Sequence, residues 1–300
     1  MAVRSEAALR RVGLIIPVLA SEAVLLEACL ANIARMRTEL TGDADLVVVV
    51  VPQPAGCAVL PQPPSDLSIE WLPQAQAGVS RARNAALDHL RGRVDAVMFV
   101  DVAVRPSSAF LREALALLAD APLVSAPVAF AAESPVGAAT ASRVSAAFLV
   151  FRGFIWSSLI RMDALGDLRF LADIGPGTPS QHQAGEDSRL LYAIVRRHHL
   201  RSLPFLAGLP VARLPRGDLA AKVARYSFGQ GYLVGQYLVH PVGGLSGLGY
   251  FLLRALLFAG NSLAMLLGGA SRSTGLRRLR AFVSGLFGLD RSVPPLGRGL

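Results

Sequence analysis

Three short stretches carry side chains able to do chemistry, and they lie far apart in the chain. The first, "AGVSRARNAAL" (77–87), opens what reads as a helix. A helix N-terminus presents free N–H groups and partial positive charge, which attract phosphate. Arg81 and Arg83 fall in its first turns, and Asn84 can hydrogen-bond a base or a sugar. The second is Asp101, placed directly after the apolar run "AVMFV", where a carboxylate reaches a ribose hydroxyl or a metal ion. The third, "AGEDSRLLYAIVRR", puts Glu186 and Asp187 at the start of a helix whose Leu190, Leu191, Ile194 and Val195 face inward. Asp187 suits a general base for a hydroxyl: the helix dipole lowers its pKa, whereas Glu186 and burial raise it. Each stretch also has an ordinary reading. These are surface arginines, a capping aspartate, and acids that the dipole stabilises by roughly 0.3–1 kcal/mol.

The elements that must position these groups alternate in type. Val12–Val18 and Leu46–Val51 are wholly apolar runs, as expected of strands buried on both faces. Between them Ser21 offers an N-cap, with Val24, Leu25, Ala28 and Ile33 marking a helical face. Leu67–Leu72 reads as a third strand, Val79–Leu90 as a helix opened by Gly78, and Ala96–Val100 as another strand. Pro106 and Ser107 start a helix over Phe110–Leu118, and Leu123–Phe130 returns as a strand. A final helix runs from Glu186 to about His198. This alternation predicts a parallel sheet with helices on both faces. Ligands then bind beyond the carboxyl ends of the strands, at Pro52 onward, Gln74–Gly78 and Asp101–Arg105.

The bulk numbers narrow the partners. Of 300 residues 53% are hydrophobic and 17% charged, below the roughly 25% of an average domain. With a mean hydropathy of +0.47, this points to contact with a bilayer or an unusually buried sheet. The formal charge is +9, and Lys222 is the only lysine. The arginines are scattered rather than set along one helix among aromatics, so lipid or phosphate is expected and nucleic acid is not. Cys29 and Cys57 form neither a CxxC site nor a disulfide scaffold, which fits a reducing compartment. The basic start and the run Val12–Ala20 mimic a signal peptide, but read better as strand, cap and helix. Beyond Pro241 the composition changes, dividing the chain into 1–240 and a hydrophobic, membrane-associating helical tail, 241–300. Leu245–Ala270 carries Arg254 alone and would be about 39 Å long as one helix, against a bilayer core of about 30 Å. Arg272, Arg277, Arg278 and Arg280 follow it, where an anionic cytoplasmic leaflet would attract them. One crossing would strand those arginines outside. A re-entrant or interfacial helix, or two short crossings using Phe282–Leu289, avoids this, and a buried helix of a soluble domain is the other reading.

Taken in order, the Pro17-bearing strand with its helix, "GVSRARNAAL", "VMFVDVAVRP", "SSLIRMDAL" and "GEDSRLLYAIVRR" resemble inverting family 2 glycosyltransferases. The resemblance spans about Val12 to Tyr237. It implies a GT-A type nucleotide-binding α/β fold, with a mostly parallel central sheet flanked by helices and here a C-terminal hydrophobic helical region. It also implies a nucleotide-sugar donor bound at Asp101 with Arg81, Arg83, Asn84 and Arg213, and a Glu186–Asp187 pair whose aspartate deprotonates the acceptor. "RYSFGQGYLVGQY" (225–237) looks like the Gly-rich segment after the catalytic core in bacterial polysaccharide-making members, and the membrane-associating tail suits a lipid-linked glycan acceptor at the cytoplasmic face of the inner membrane.

Three positions depart from the family pattern. Pro52 and Gln53 stand where base-holding aspartates are usual, Ala103 where the DxD motif needs an acid, and Arg213 where a histidine is common. Asp101 alone is a poor site for Mg²⁺ or Mn²⁺, which want several oxygens. Arginines can replace such a metal, since one guanidinium about 4 Å from a phosphate oxygen contributes roughly 4 kcal/mol at an effective dielectric of about 20. The alternative is a non-catalytic glycosyltransferase-like membrane subunit that binds an acceptor or a partner. A dinucleotide-dependent oxidoreductase is disfavoured, because no GxGxxG follows the first strand.

Overall fold

The computed structural model describes residues 10–53, 61–134, 137–178, 184–214, 219–242, 244–267 and 272–287. The basic N-terminal stretch, Cys57 and the last residues of the Phe282–Leu289 segment lie outside them.

The apolar runs form the strands expected of them. β1 (Arg11–Leu19) and β2 (Asp45–Gln53) flank helix α1 (Ala23–Glu39), and their interiors are buried throughout. Ser21 does not cap α1. It sits in a 3₁₀ turn whose Glu22 carboxylate accepts the Leu19 N–H at 3.0 Å. That extra turn rotates the helix, so Leu26, Cys29, Leu30 and Ile33 face the core while Val24 and Ala28 face outward.

β3 (Ile69–Trp71), α2 (Val79–Leu90) and β4 (Ala96–Phe99) come next, and then β5 (Val104–Arg105) and α3 (Ser108–Leu118). Ser107 caps α3 by accepting the Phe110 N–H. The strand expected over Leu123–Phe130 is two: β6 (Leu123–Ser125) and β7 (Val128–Ala129), in different sheets. Pro127 lies between them and has no N–H to continue a ladder. β8 (Ala141–Ser145), α4 (Ala146–Arg152), β9 (Ser158–Arg161) and the short α5 (Met162–Leu165) precede α6 (Glu186–Arg197). β10 (Ser202–Leu206) and β11 (Val211–Arg213) end the sheet-forming part.

Eight strands form one sheet in the order β3-β2-β1-β4-β9-β6-β10-β8. β3, β2, β1 and β4 are mutually parallel, and β6 is parallel to β10. β9 runs antiparallel to both β4 and β6, and β8 to β10, so the sheet is mixed but mostly parallel, as expected. β5, β11 and β7 make a second, three-stranded sheet. The architecture is thus a mixed α/β fold with a large sheet flanked by helices.

Three helices complete the chain: α7 (Leu219–Val239), α8 (Gly244–Leu267) and α9 (Arg272–Leu286). The glycines of the 225–237 stretch serve close packing. A Cβ on Gly231 would meet the carbonyl of Phe282 in α9, and one on Gly229 would meet the carbonyl of Ala184 just before α6. α8 rests on α4 through Phe151, Tyr250 and Phe251, and on α9 through Phe258 against Phe282. Its other face is bare: Leu252, Leu253, Leu256, Leu257 and Leu263 are all exposed. Among the described residues Gly247–Leu267 is the one helix long and apolar enough to cross a membrane.

Candidate active site

The site begins where β4 ends. Asp101 follows it, and β11 lies antiparallel to β5 with Arg213 opposite Val104. Leu214 N–H donates to the Ala103 carbonyl at 3.0 Å, so the small sheet carries the Arg213 side chain back over Asp101. The guanidinium Nη2 lies 3.1 Å from Asp101 Oδ2 and its Cζ 4.9 Å from the Trp156 ring centre.

α2 supplies the second ion pair. Gly78 caps it at φ 141°, a conformation that favours glycine, and its N–H donates to the buried Gln53 Oε1 at 2.8 Å. Ser80 donates to the Ile174 carbonyl, and Asn84 exchanges two hydrogen bonds with the Phe170 backbone. These bonds fasten α2 to the segment leading to α6. Arg83, 3% exposed, then reaches Asp187, with Nη1 2.7 Å from Oδ1 and 3.8 Å from Glu186 Oε1. Its guanidinium sits 5.7 Å from the Phe99 ring centre and 5.1 Å from that of Phe170, held by aromatic faces as well as acids.

The competition over the Glu186–Asp187 pair goes to burial. Desolvation pushes Glu186 up to about 8, with Asp187 adding to the rise and Arg83 opposing it. Burial also raises Asp187, against the pull of Arg83. For Arg83 burial acts downward, but Asp187, Glu186 and Asp101 outweigh it and its pKa rises. The arginine is nearer Asp187 than Glu186, so it favours the ionised form of Asp187 the more strongly of the two.

Asp101, Arg213, Arg83, Glu186 and Asp187 all line one open cavity of about 530 Å³. The sequence-derived residues divide there. Asp101, Arg83, Glu186, Asp187 and Arg213 converge, whereas Arg81 and Asn84 are absent from the cavity wall. Arg81 bonds Asp173 at 2.8 Å and Gln76 on the outer side of α2, and Asn84 spends its carboxamide on backbone. Arg83 is a buried partner of the acids rather than a free phosphate ligand.

Arg152, Trp156 and Arg254 line the same cavity and were missed in the sequence. The aromatic cluster around Arg152 in "FRGFIW" was the one available signal for the first two. Arg83, Arg152, Arg213 and Arg254 outnumber Asp101, Glu186 and Asp187 on the wall, and burial holds Glu186 up at about 8, so the cavity is electropositive at neutral pH. A divalent cation does not fit. Among the described residues no group of three or more His, Cys, Asp or Glu is placed to hold one, and Asp101 is already paired with Arg213.

No family model matches the sequence, and no curated protein matches it. Solved structures do. Residues 1–349 of S. aureus TarS in complex with UDP-GlcNAc align with TM-score 0.61 at 15% identity, covering 92% of this chain and 81% of that one. The same TarS segment without ligand gives 0.60 at 16% identity and the same coverage, and against full TarS the chain spans 49% of its length. The two-sheet framework that brings Asp101, Arg213 and Asp187 to one cavity is therefore a fold shared with S. aureus TarS.

Proposed function

We propose that the protein transfers a sugar from a nucleotide-sugar to a hydroxyl of a lipid-linked glycan acceptor, in a single inverting displacement at the membrane surface. The carrying observation is the convergence of Asp101, Arg213, Arg83 and Asp187 on one electropositive cavity at the carboxyl end of β4. The volume lies within the range of about 300–1,000 Å³ typical of small-ligand sites.

The nucleotide takes the β3-β2-β1-β4 half, where four parallel strands end together. Asp187 accepts the proton of the acceptor hydroxyl as its oxygen attacks the anomeric carbon. The bond from that carbon to the diphosphate breaks, and the nucleoside diphosphate leaves. A raised pKa makes Asp187 a stronger base, while Arg83 opposes the rise and favours its ionised form. Glu186, protonated beside it, fixes the position of the pair. Arg213 meets the charge growing on the leaving diphosphate, the task a metal performs elsewhere. The chain divides functionally into residues 1–240, which carry the ion-paired end of the cavity, and 241–300, which add Arg254, Phe258 and Phe282 to its wall and whose exposed α8 and basic α9 rest on the cytoplasmic face of the inner membrane.

The purified chain with UDP-GlcNAc, the compound bound by TarS, should release UDP, and Asp187→Asn should slow release by about 10²–10⁴-fold. Full turnover by that variant removes Asp187 as the base. Activity abolished by EDTA and restored by Mn²⁺ removes arginine as the substitute for metal. The competing reading, a non-catalytic acceptor-binding subunit, draws on the paired Asp101 and on Ala103. It prevails if no nucleotide-sugar yields nucleoside diphosphate.

A further inference from the structure

Two arginines of the cavity wall take no part in the ion pairs at its catalytic end. Arg152 ends α4 and Arg254 lies one turn beyond Tyr250 and Phe251 on α8, the residues through which α8 packs on α4. Arg254 is half-buried and Arg152 exposed, both line the cavity, and among the described residues neither makes an ion pair or a side-chain hydrogen bond. Two guanidinium groups on the wall of one cavity repel each other, and an anion between them would offset that repulsion.

Arg152 belongs to the other half of the sheet from the strands assigned to the nucleotide. α4 follows β8, the edge strand at the opposite end of the large sheet from β3, so Arg152 stands over the β6-β10-β8 half. The walls nearby are aromatic: Phe154 stacks on Trp156 at 4.8 Å beside Arg152, and Phe258 follows Arg254 by one turn. Flanking Arg254, the leucines at 252, 253, 256 and 257 leave the cavity rim and face outward. Cationic groups inside and a continuous apolar track outside describe an amphiphile with a phosphate head.

We infer that Arg152 and Arg254 form a phosphate subsite for the acceptor, a lipid-borne phosphate ester whose hydrocarbon lies along α8. This rests on the transferase reading for the word acceptor, but the binding itself does not. Direct titration of the full chain in detergent with farnesyl phosphate, farnesol and inorganic phosphate tests it without any turnover. Farnesyl phosphate should bind well above the other two. Arg152→Gln/Arg254→Gln should weaken it by about tenfold or more per arginine, the factor a charge-assisted hydrogen bond supplies. Farnesol affinity should not change, and Arg152→Lys/Arg254→Lys should retain part of the phosphate preference at an unchanged melting temperature. Equal binding of farnesyl phosphate and farnesol overturns the subsite, as does undiminished binding by the Gln variant. Inorganic phosphate binding as tightly as farnesyl phosphate overturns the lipid assignment. Loss of UDP-GlcNAc affinity instead of farnesyl phosphate affinity would assign the arginines to the donor. A chain that binds farnesyl phosphate as described yet releases no UDP would sink the transferase reading alone.

Discussion

At the scale of single residues, the chemistry depends on one buried arginine facing two adjacent acids. Arg83 lies 2.7 Å from Asp187 and 3.8 Å from Glu186, and the burial of these acids has a thermodynamic signature. Glu186 is held near 8 in the folded chain, above its ordinary 4.5, so the native state binds a proton that the unfolded state has released. For an acid with a raised pKa, stability is greatest below the unfolded value. It falls as pH rises from about 4.5 to about 8, by up to about 1.4 kcal/mol per pH unit. Glu186→Gln, neutral at every pH, should flatten the dependence of melting temperature on pH across this window and gain most over the wild type at its alkaline end. Asp187 is raised in the same sense, so some slope should persist. Thermal unfolding at pH 5, 6.5 and 8 measures it. Parallel curves for the two proteins would place the proton elsewhere.

At the scale of elements, the glycines of α7 decide how near the C-terminal helices come to the catalytic pair. Gly229 lies against the carbonyl of Ala184, immediately before α6 and its Glu186–Asp187 start. Gly229→Ala would drive a methyl into that carbonyl, costing about 1–3 kcal/mol of stability and displacing the helix start. Gly249→Ala is the control, since a Cβ there meets nothing and alanine stabilises a helix by about 1 kcal/mol over glycine. UDP release and melting temperature, measured on both, should fall together for Gly229→Ala and hold or rise for Gly249→Ala. Similar behaviour of the two variants would deny the coupling between α7 and α6.

The same elements divide what the residues disclosed from what they hid. β1, β2, α2 and α6 were legible because each is a continuous apolar run or a helix opened by a glycine or a dipole-facing acid. The antiparallel β9 and β8 were not, because strand direction depends on tertiary pairing rather than on composition. Asp101, Arg213 and Asp187 could be named from their order along the chain. The burial of Arg83 could not, since an arginine in a first helical turn looks the same in sequence whether it meets solvent or two acids. Arg152 and Arg254 were hidden for a related reason: α4 and α8 meet only after a hundred intervening residues have folded.

At the scale of the whole molecule, the proposed role at a membrane turns on how the apolar α8 lies against the rest of the chain. α8 is 24 residues long, enough to cross a bilayer core of about 30 Å, yet it runs antiparallel to α9, with Phe258 on Phe282 and Gly275 against Ser262 and Leu266. α9 bears Arg272, Arg277 and Arg280 on its exposed side. A crossing by α8 would pull these into hydrocarbon at about 2.5–3.5 kcal/mol each on insertion scales. It would also strip Phe251 from Phe151 and dismantle the wall that holds Arg152. On the proposed membrane surface, lying flat would incur neither cost: the leucines at 253, 256 and 257 would enter the acyl boundary while the arginines of α9 would meet anionic headgroups. Burying one leucine contributes about 1.5–3 kcal/mol, so Leu253→Ser/Leu256→Ser/Leu257→Ser should reduce vesicle partitioning by a hundredfold or more. Co-flotation with vesicles of phosphatidylglycerol and phosphatidylcholine measures that loss, and binding should weaken as the anionic fraction falls or as salt rises. Carbonate at high pH should strip the wild-type chain from membranes, as it does surface-bound proteins. A chain that resists carbonate, and keeps its membrane affinity when the three leucines are replaced, spans the bilayer instead.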